Sequence, residues 1–267
     1  MGSFFLYLIT GLILSLLVMT AVWAVSLKIG KASIVDPVWA GLIALLAVYY
    51  ATMLPGSGLR HFVVTAMAVF WGLRLSFFLL FNRVIGKGED PRYQELLNKW
   101  GDQRKRKMLE FFLIQGVVAS VFSIPFLTVA LNPKGGLSGI EIFGVLLWLI
   151  AFAGESAADL QLEAFKKDPG SKGKSCRAGL WGYSRHPNYF FEFLIWCSFF
   201  LFALGSAGGL FSVICPALIF YFLFNVTGIP KAEEQALRSR GDDYRDYQKK
   251  VSKFFPWVPK TERPSAS

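Results

Sequence analysis

Histidine and cysteine are scarce in this sequence of 267 residues, which contains two His and three Cys. The cysteines, Cys176, Cys197 and Cys215, form no Cys-x-x-Cys pair, so we expect no disulfide framework and no zinc site built on cysteine. With only His61 and His186, the chain also lacks the ligands for the His-rich di-iron centres of membrane hydroxylases or for a His-based zinc site. We therefore predict no metal site.

Apolar residues are abundant instead. They make up 54% of the chain, and several runs approach or exceed the roughly 20 residues that cross a bilayer. Candidate spans are residues 4–26, 38–54, 61–82, 111–131, 140–162, 189–204 and 208–227. No Lys or Arg precedes the first run, which favours a membrane anchor over a cleaved signal peptide. We predict an all-α, multi-pass membrane protein with seven transmembrane helices.

The basic residues follow the predicted topology. If the N-terminus lies outside, the inner segments are residues 27–37, 83–110, 163–188 and 228–267, and they hold 25 of the 28 Lys and Arg residues. This asymmetry is what the positive-inside rule requires. It predicts a cytoplasmic C-terminus in a bacterial inner membrane or an endoplasmic-reticulum-type membrane. The net charge of +10 then reflects topology, and we predict no nucleic-acid partner.

Three predicted spans carry ionisable groups, which are costly in a bilayer and mark candidate sites. Asp36 precedes a proline at the start of the second span, so it is either a helix N-cap or a site residue. Arg74 in the third span is expected to have a partner. Glu155 and Asp159 are four residues apart on one helix face, and their mutual repulsion calls for a cation, a hydrogen-bond donor or a shared proton.

The stretch 179–196 is the most informative part of the chain. A Gly-punctuated turn leads into an apolar helix whose first turn suits Pro187, because proline has no N–H to leave unpaired there. Asn188 and Glu192 share one face of that helix, and Trp196 extends it. A helix N-terminus preceded by Arg and His also favours an anion. We interpret the stretch as the centre of a cofactor pocket at the membrane surface.

Two cytoplasmic segments flank that stretch. The basic loop 166–174 leads into Arg177 and is interpreted as a phosphate-gripping flap, with attachment to anionic lipid headgroups as the alternative. In the tail, Tyr244 and Tyr247 lie on one helix face, which is typical of an interfacial helix with aromatic anchors. The loop 86–107 is predicted to be amphipathic, and its spacing suggests no chemistry.

The segment Arg185-His186-Pro187-Asn188-Tyr189, followed by Glu192, resembles the membrane sterol reductases, which include the NADPH-dependent steroid 5α-reductases. The resemblance is strongest over the last ~120 residues and extends to the tail GDDYRDYQKKVSKFFPW, which is similar to the family's closing segment. The chain looks most like a bacterial branch of the 5α-reductase group that carries Glu-Asp-Pro-Arg-Tyr in residues 89–93. The resemblance implies a seven-helix fold with NADPH among the later spans and a lipophilic substrate that enters from the bilayer.

The front half departs from the family pattern. Steroid 5α-reductases contact the substrate carbonyl through a Gln-Glu pair and a Tyr, and the nearest candidates here are Asp36 and Trp71, with Arg74 matching a family Arg. These three are the predicted catalytic residues. Within one domain, residues 1–267, we assign the substrate side to residues 1–110 and the cofactor side to residues 111–267.

The predicted cofactor-binding residues come from the later spans, the basic loop and the tail. They are Glu155, Asp159, Lys166, Lys172, Lys174, Arg177, Tyr183, Arg185, His186, Asn188, Tyr189, Glu192, Trp196, Glu233 and Tyr244.

We expect an NADPH-dependent reductase that transfers hydride to the C=C bond of a lipophilic enone, for which a steroid-like compound is one candidate. Asp36 would have to be protonated to donate to the carbonyl, which burial favours, and Arg74 is the alternative. A second hypothesis is a membrane methyltransferase that uses S-adenosylmethionine, like the isoprenylcysteine carboxyl methyltransferases, for which Glu233 and Glu234 would be suitable. A third is a non-catalytic membrane protein that binds lipid.

Overall fold

A computed structural model describes residues 2–54, 58–226 and 228–260. Within those ranges the regular secondary structure is helical, apart from one isolated parallel bridge between Ser184 and Ser252. The α-helices are α1 (Gly2–Ile29), α2 (Val35–Met53), α3 (Gly58–Leu79), α4 (Pro91–Trp100), α5 (Arg104–Phe122), α6 (Ile124–Ala130), α7 (Gly139–Lys167), α8 (Pro187–Ala203), α9 (Ile214–Asn225), α10 (Ile229–Arg240) and α11 (Asp242–Lys250).

Six helical stretches are long and apolar enough to cross a membrane, and α8 is a shorter apolar helix. This confirms the prediction of an all-α, multi-pass membrane protein. The count of seven spans and the orientation of the termini stay predictions. The predicted end of the last span at Thr227 lies outside the described residues.

The fourth predicted span, residues 111–131, is divided between two helices. α5 ends at Phe122 and α6 begins at Ile124, with Pro125 in its first turn. Proline has no N–H for the helical ladder, so a helix tends to stop before it. The hydroxyl of Ser123 donates to the carbonyl of Ser120 at 2.7 Å, which supplies a local partner where the ladder is interrupted.

The chain divides into two compact units, Met1–Ile142 with Leu201–Ser212 and Phe143–Phe200 with Val213–Ser267. In the first unit, α1 packs on α5 and α2 packs on α3. Small residues allow the close approach of α1 and α5. Gly116 faces the backbone of Ser15, and the hydroxyl of Ser120 donates to that of Ser15 at 3.0 Å. Small-residue contacts of this kind are typical of membrane helix pairs.

A buried ion pair links distant parts of the first unit's sequence. Arg60 in α3 binds the carboxylate of Glu141 at the start of α7, and both side chains are almost fully buried. The backbone N–H and the hydroxyl of Ser138 each donate to Glu141 at 2.7 Å. Further donors of this kind are what a buried ion pair needs to offset desolvation.

In the second unit, α10 and α11 pack against each other around two buried tyrosines. Tyr244 and Tyr247 are 3% and 2% exposed, and they pack with Ala236 and Val251. The hydroxyl of Tyr247 donates to the carbonyl of Trp181 at 2.6 Å. The prediction that these tyrosines are interfacial anchors is therefore wrong, because they form the core that joins α10 and α11.

Candidate functional site

The turn before α8 is fixed by contacts with α7. The backbone N–H of Leu180 donates to the side chain of Gln161 at 2.9 Å, and the indole N–H of Trp181 donates to the carbonyl of Ala158 at 2.9 Å. Gly179 has a positive φ of 56° and lies directly against Gln161, so a side chain there would be strained and would clash. These contacts set where α8 begins, at Pro187 as predicted.

Buried polar groups face each other across α7 and α8. Glu155, Asp159 and Glu192 are 3%, 5% and 9% exposed. The side-chain amide of Asn188 donates to Asp159 at 3.2 Å. The indole N–H of Trp196 donates to Glu192 at 2.8 Å. The shared faces predicted from the four-residue spacings are thus present, and Asn188 supplies the donor that Asp159 was expected to need.

Arg185 is the centre of a second polar cluster in the same unit. Its Nε and Nη2 atoms contact Oε1 of Glu233 at 2.8 and 2.7 Å. Its Nη1 donates to the carbonyls of Gln248 and Val251 at 3.0 and 2.8 Å. Arg185 is buried, and these charge-assisted bonds tie the turn before α8 to the C-terminal segment.

Glu233 collects further donors around this arginine. The hydroxyl of Tyr244 donates to Oε1 at 3.3 Å, and the amide of Gln248 donates to Oε2 at 3.1 Å. His186 Nε2 lies 3.4 Å from Oε1, and its ring stacks on Tyr189 with centroids 5.5 Å apart. Burial lowers the pKa of His186, and the carboxylate of Glu233 offsets that effect only in part.

The basic loop belongs to the same unit, and its cations differ in exposure and in ion pairing. Lys172 and Lys174 are exposed, and Lys166 pairs with Glu163 on its own helix at 2.8 Å. Arg177 binds Asp243 at 2.8 Å and Asp246 at 3.2 Å.

Asp243 anchors this loop to α11. It also accepts the backbone N–H of Ser175 at 2.6 Å. Burial alone would raise the pKa of Asp243, but the hydrogen bonds from Ser175 and Arg177 outweigh it and hold that pKa below its ordinary value. Arg177 therefore fastens the loop to α11.

Tyr183, the remaining candidate in this unit, is exposed. Its carbonyl accepts the backbone N–H of Trp257 at 3.0 Å. Its position in the structure thus rests on the backbone, and the phenol is open to solvent or lipid.

The predicted catalytic residues Asp36, Trp71 and Arg74 lie in the first unit. Trp71 is fully buried in α3, and Arg74 is half-buried one turn later. Asp36 accepts the phenol of Tyr93, and Arg92 Nη2 contacts it at 3.0 Å. Both contacts suit a carboxylate that acts as an acceptor, since a guanidinium only donates and a phenol can donate.

Asp36 is not the N-cap of its helix, so the capping interpretation is wrong. A 3-10 turn, Ala32–Ile34, runs directly into α2, so the helical chain starts before Asp36 is reached. The free N–H groups of Ala32 and Ser33 are taken by the carboxylate of Glu89 from another part of the chain. Glu89 therefore caps this helix from a distance.

Several polar contacts around the candidate residues were not predicted from the sequence. The loop 86–107, to which no chemistry was assigned, supplies Glu89, Arg92 and Tyr93. The tail supplies Asp243 and Gln248. Each acts on a residue more than 50 positions away, except Gln248, whose bond to Glu233 spans 15. Helical periodicity carries no information on pairs at such separations. The one local signal in this loop was the Asp90-Pro91 pair, which predicts the start of a helix. It forms the N-cap and the first turn of α4.

The fold and this site define a class, a multi-pass helical membrane protein with a polar centre built around the start of one apolar helix. The chain belongs to the family described as "Protein of unknown function (DUF1295)", which matches residues 22–251.

Two relatives frame this assignment. The chain is 28% identical over 283 residues to an uncharacterized protein of Schizosaccharomyces pombe, covering 93% of this chain and 79% of the relative. It is 33% identical over 91 residues to a probable O-methyltransferase of Ustilaginoidea virens, covering 34% of this chain and 31% of the relative. No solved structure matches the chain.

Proposed function

We propose that the chain is an integral membrane reductase that uses NADPH to reduce a C=C bond of a lipophilic enone. The observation that carries the proposal is the pair of polar contacts on α8, Asn188 to Asp159 and Trp196 to Glu192. Such groups are costly within apolar helices, so their presence there marks a candidate functional site. The resemblance of residues 185–192 to the sterol reductases gives that site its cofactor.

The residues present fit a phosphorylated dinucleotide. Asn188 and Glu192 offer an amide and a carboxylate that suit the carboxamide of the nicotinamide ring, which supplies a hydride when the cofactor is bound. The exposed cations Lys172 and Lys174 are suited to phosphate oxygens. Arg177 keeps their loop in place through Asp243 and Asp246. Arg185 and Glu233 hold the turn from which α8 begins.

The substrate-side assignment is revised by the contacts of Asp36. A carboxylate that already accepts from Arg92 and Tyr93 is not set up to donate a proton. In this proposal Asp36 orients Tyr93 and Arg92. Trp71 and Arg74 stay the candidates for polarising the substrate carbonyl, since each carries N–H donors.

A methyltransferase that uses S-adenosylmethionine is the second candidate. It is favoured by the partial match to a probable O-methyltransferase and by the central position of Glu233. That cofactor has no phosphate, so it would leave the exposed cations of the loop without a cofactor role.

Cofactor titration of the purified, full-length protein tests the proposal. NADPH should bind more tightly than NADH by roughly ten- to a hundredfold, since one charge-assisted phosphate contact contributes ~1.5–3 kcal/mol. Asn188→Ala and Glu192→Gln should each lower the affinity for NADPH by a similar factor. The matched control is Ser198→Ala, which removes a buried hydroxyl on the same helix that donates to the carbonyl of Ile195, within that helix, at 2.6 Å.

Two results would contradict the reductase. In the first, Asn188→Ala and Glu192→Gln melt at the wild-type temperature and bind NADPH with the wild-type affinity. The α8 contacts would then be structural only. If S-adenosylmethionine binds more tightly than both nucleotides, the methyltransferase is the better assignment.

A further inference from the structure

A strongly cationic patch lies in the first unit at the start of α5. Five cations, Lys99, Arg104, Lys105, Arg106 and Lys107, fall within nine residues of sequence that contain one acid, Asp102. All but Lys107 are exposed. The patch contributes nothing to the α7 and α8 contacts of the proposed reductase, so its role is a separate question.

The five cations are not equivalent. Arg106 and Lys107 pair with Glu110 one turn further along α5, at 3.0 and 2.9 Å. Among the residues that the structure describes, Lys99, Arg104 and Lys105 form no ion pair. Arg104 and Lys105 instead line a surface cavity of about 510 Å³ together with Leu97, Asn98, Gly101 and Asp102. Two of the three unpaired cations thus lie at one concave surface, where Asp102 is the single acid among the described lining residues.

Two tryptophan side chains lie close to this cavity. The indole N–H of Trp23 in α1 donates to the carbonyl of Lys105 at 3.1 Å. Trp100 lies in sequence between the lining residues Asn98 and Gly101 and packs on Phe111 with ring centroids 6.4 Å apart. Trp side chains concentrate at the boundary between headgroups and acyl chains, and α5 is mainly apolar from Phe111 onward.

We infer that this cavity binds the headgroup phosphate of an anionic phospholipid. A phosphodiester would accept from the side chains of Arg104 and Lys105, and Asn98 offers an uncharged donor beside them. The acyl chains of such a lipid would extend along the apolar part of α5, next to Trp23. A clustered basic segment at the end of a membrane helix is suited to anionic lipid because each cation attracts the headgroup layer.

The test compares two charge-matched variants of the purified, full-length protein. Native mass spectrometry would measure binding of dioleoylphosphatidylglycerol and dioleoylphosphatidylcholine to the detergent-solubilised protein. The double variant Arg104→Gln, Lys105→Gln should bind phosphatidylglycerol roughly thirtyfold more weakly than the wild type, as expected for the loss of two cations at a membrane surface. Arg106→Gln with Lys107→Gln removes the same charge outside the cavity and should weaken that binding only slightly.

The wild type should bind phosphatidylglycerol more tightly than phosphatidylcholine, and that preference should persist in an excess of inorganic phosphate. Equal losses in the two double variants would overturn the inference, because the effect would then be net charge alone. Displacement of phosphatidylglycerol by inorganic phosphate would overturn it too, since the occupant would then be a free anion. Melting temperatures like that of the wild type show that both variants are folded.

Discussion

His186 is a titratable side chain enclosed by protein. It stacks on Tyr189 and lies beside Glu233, and Arg185 and Lys253 are the other charged groups that act on it. Its lowered pKa means that the folded state favours the neutral imidazole. Protonation of this ring is therefore linked to a loss of stability.

This linkage predicts a pH dependence of stability. The pKa of His186 in the folded state lies below its unfolded value of roughly 6.5, so between the two the unfolded chain binds more protons. Stability then rises with pH, and it should fall as the pH is lowered below about 6.5. The melting temperature, followed by intrinsic fluorescence, should drop between neutral and mildly acidic pH. His186→Asn should reduce that slope, and an identical slope in the variant would show that His186 is not responsible.

At the scale of residues, the sequence predicted local pairs well. Asn188 with Glu192 and Glu155 with Asp159 follow from a four-residue spacing, and the structure places each pair on one helix. The contacts of Arg177 with Asp243 and of Asp36 with Tyr93 were not predictable in this way. They join segments more than 50 residues apart, and neither partner carries a local signal of the other.

At the scale of elements, two Asp-Pro pairs have opposite outcomes. Asp90-Pro91 forms the N-cap and first turn of α4, and the side chain of Asp90 accepts the N–H of Arg92 at 2.9 Å. Asp36-Pro37 lies inside a helical run that started at Ala32, so its carboxylate is free to bind Arg92 and Tyr93. The dipeptide therefore predicts a helix start, but the residues before it decide whether a helix is already under way.

The pairing of α2 with α3 gives a test by substitution. A Cβ atom at Gly72 would lie 2.8 Å from the carbonyl oxygen of Ala40 and 2.8 Å from Cβ of Ala44. Neither neighbour can move without shifting a helix. Gly72→Ala should therefore destabilise the protein by ~1–3 kcal/mol, which lowers the melting temperature by roughly 2–4 °C per kcal/mol.

Gly41→Ala is the control for this substitution. Gly41 lies in α2, the partner helix of the same pair, but its added Cβ would meet only Ser76 Oγ at 3.6 Å, an ordinary contact. Because alanine favours the helix over glycine by about 1 kcal/mol, this variant should be neutral or slightly more stable. If Gly72→Ala melts at the same temperature as Gly41→Ala, the two helices are not packed as closely as the structure has them.

At the scale of the whole molecule, the helical class was predictable from the length of the apolar runs. A run of about twenty apolar residues matches the thickness of a bilayer when it is helical, and a helix pairs its backbone groups within the segment itself. The number of spans was harder to predict. α8 is short, and the stretch 111–131 is broken at Ser123, so hydropathy alone does not decide how each crosses the bilayer. The distribution of Lys and Arg still predicts an external N-terminus and a cytoplasmic C-terminus.

Reporter fusions check this orientation. Truncated chains joined after Lys107, Lys134 or Lys260 to alkaline phosphatase or a fluorescent protein should report inside, outside and inside, because the basic segments stay in the cytoplasm. Phosphatase activity at Lys260 would contradict the predicted topology. Expression of each fusion, measured by immunoblot, serves as the control.

The bonds of Arg185 also impose an order on biosynthesis. Its acceptor at Val251 lies 66 residues downstream, so a ribosome adding about 5–20 residues per second delivers it roughly 3–13 s later. During that interval α8 is completed and Glu233 is added, but the turn that starts α8 still lacks its bonds to Gln248 and Val251. These C-terminal contacts can therefore form only after most of the second unit has been synthesised.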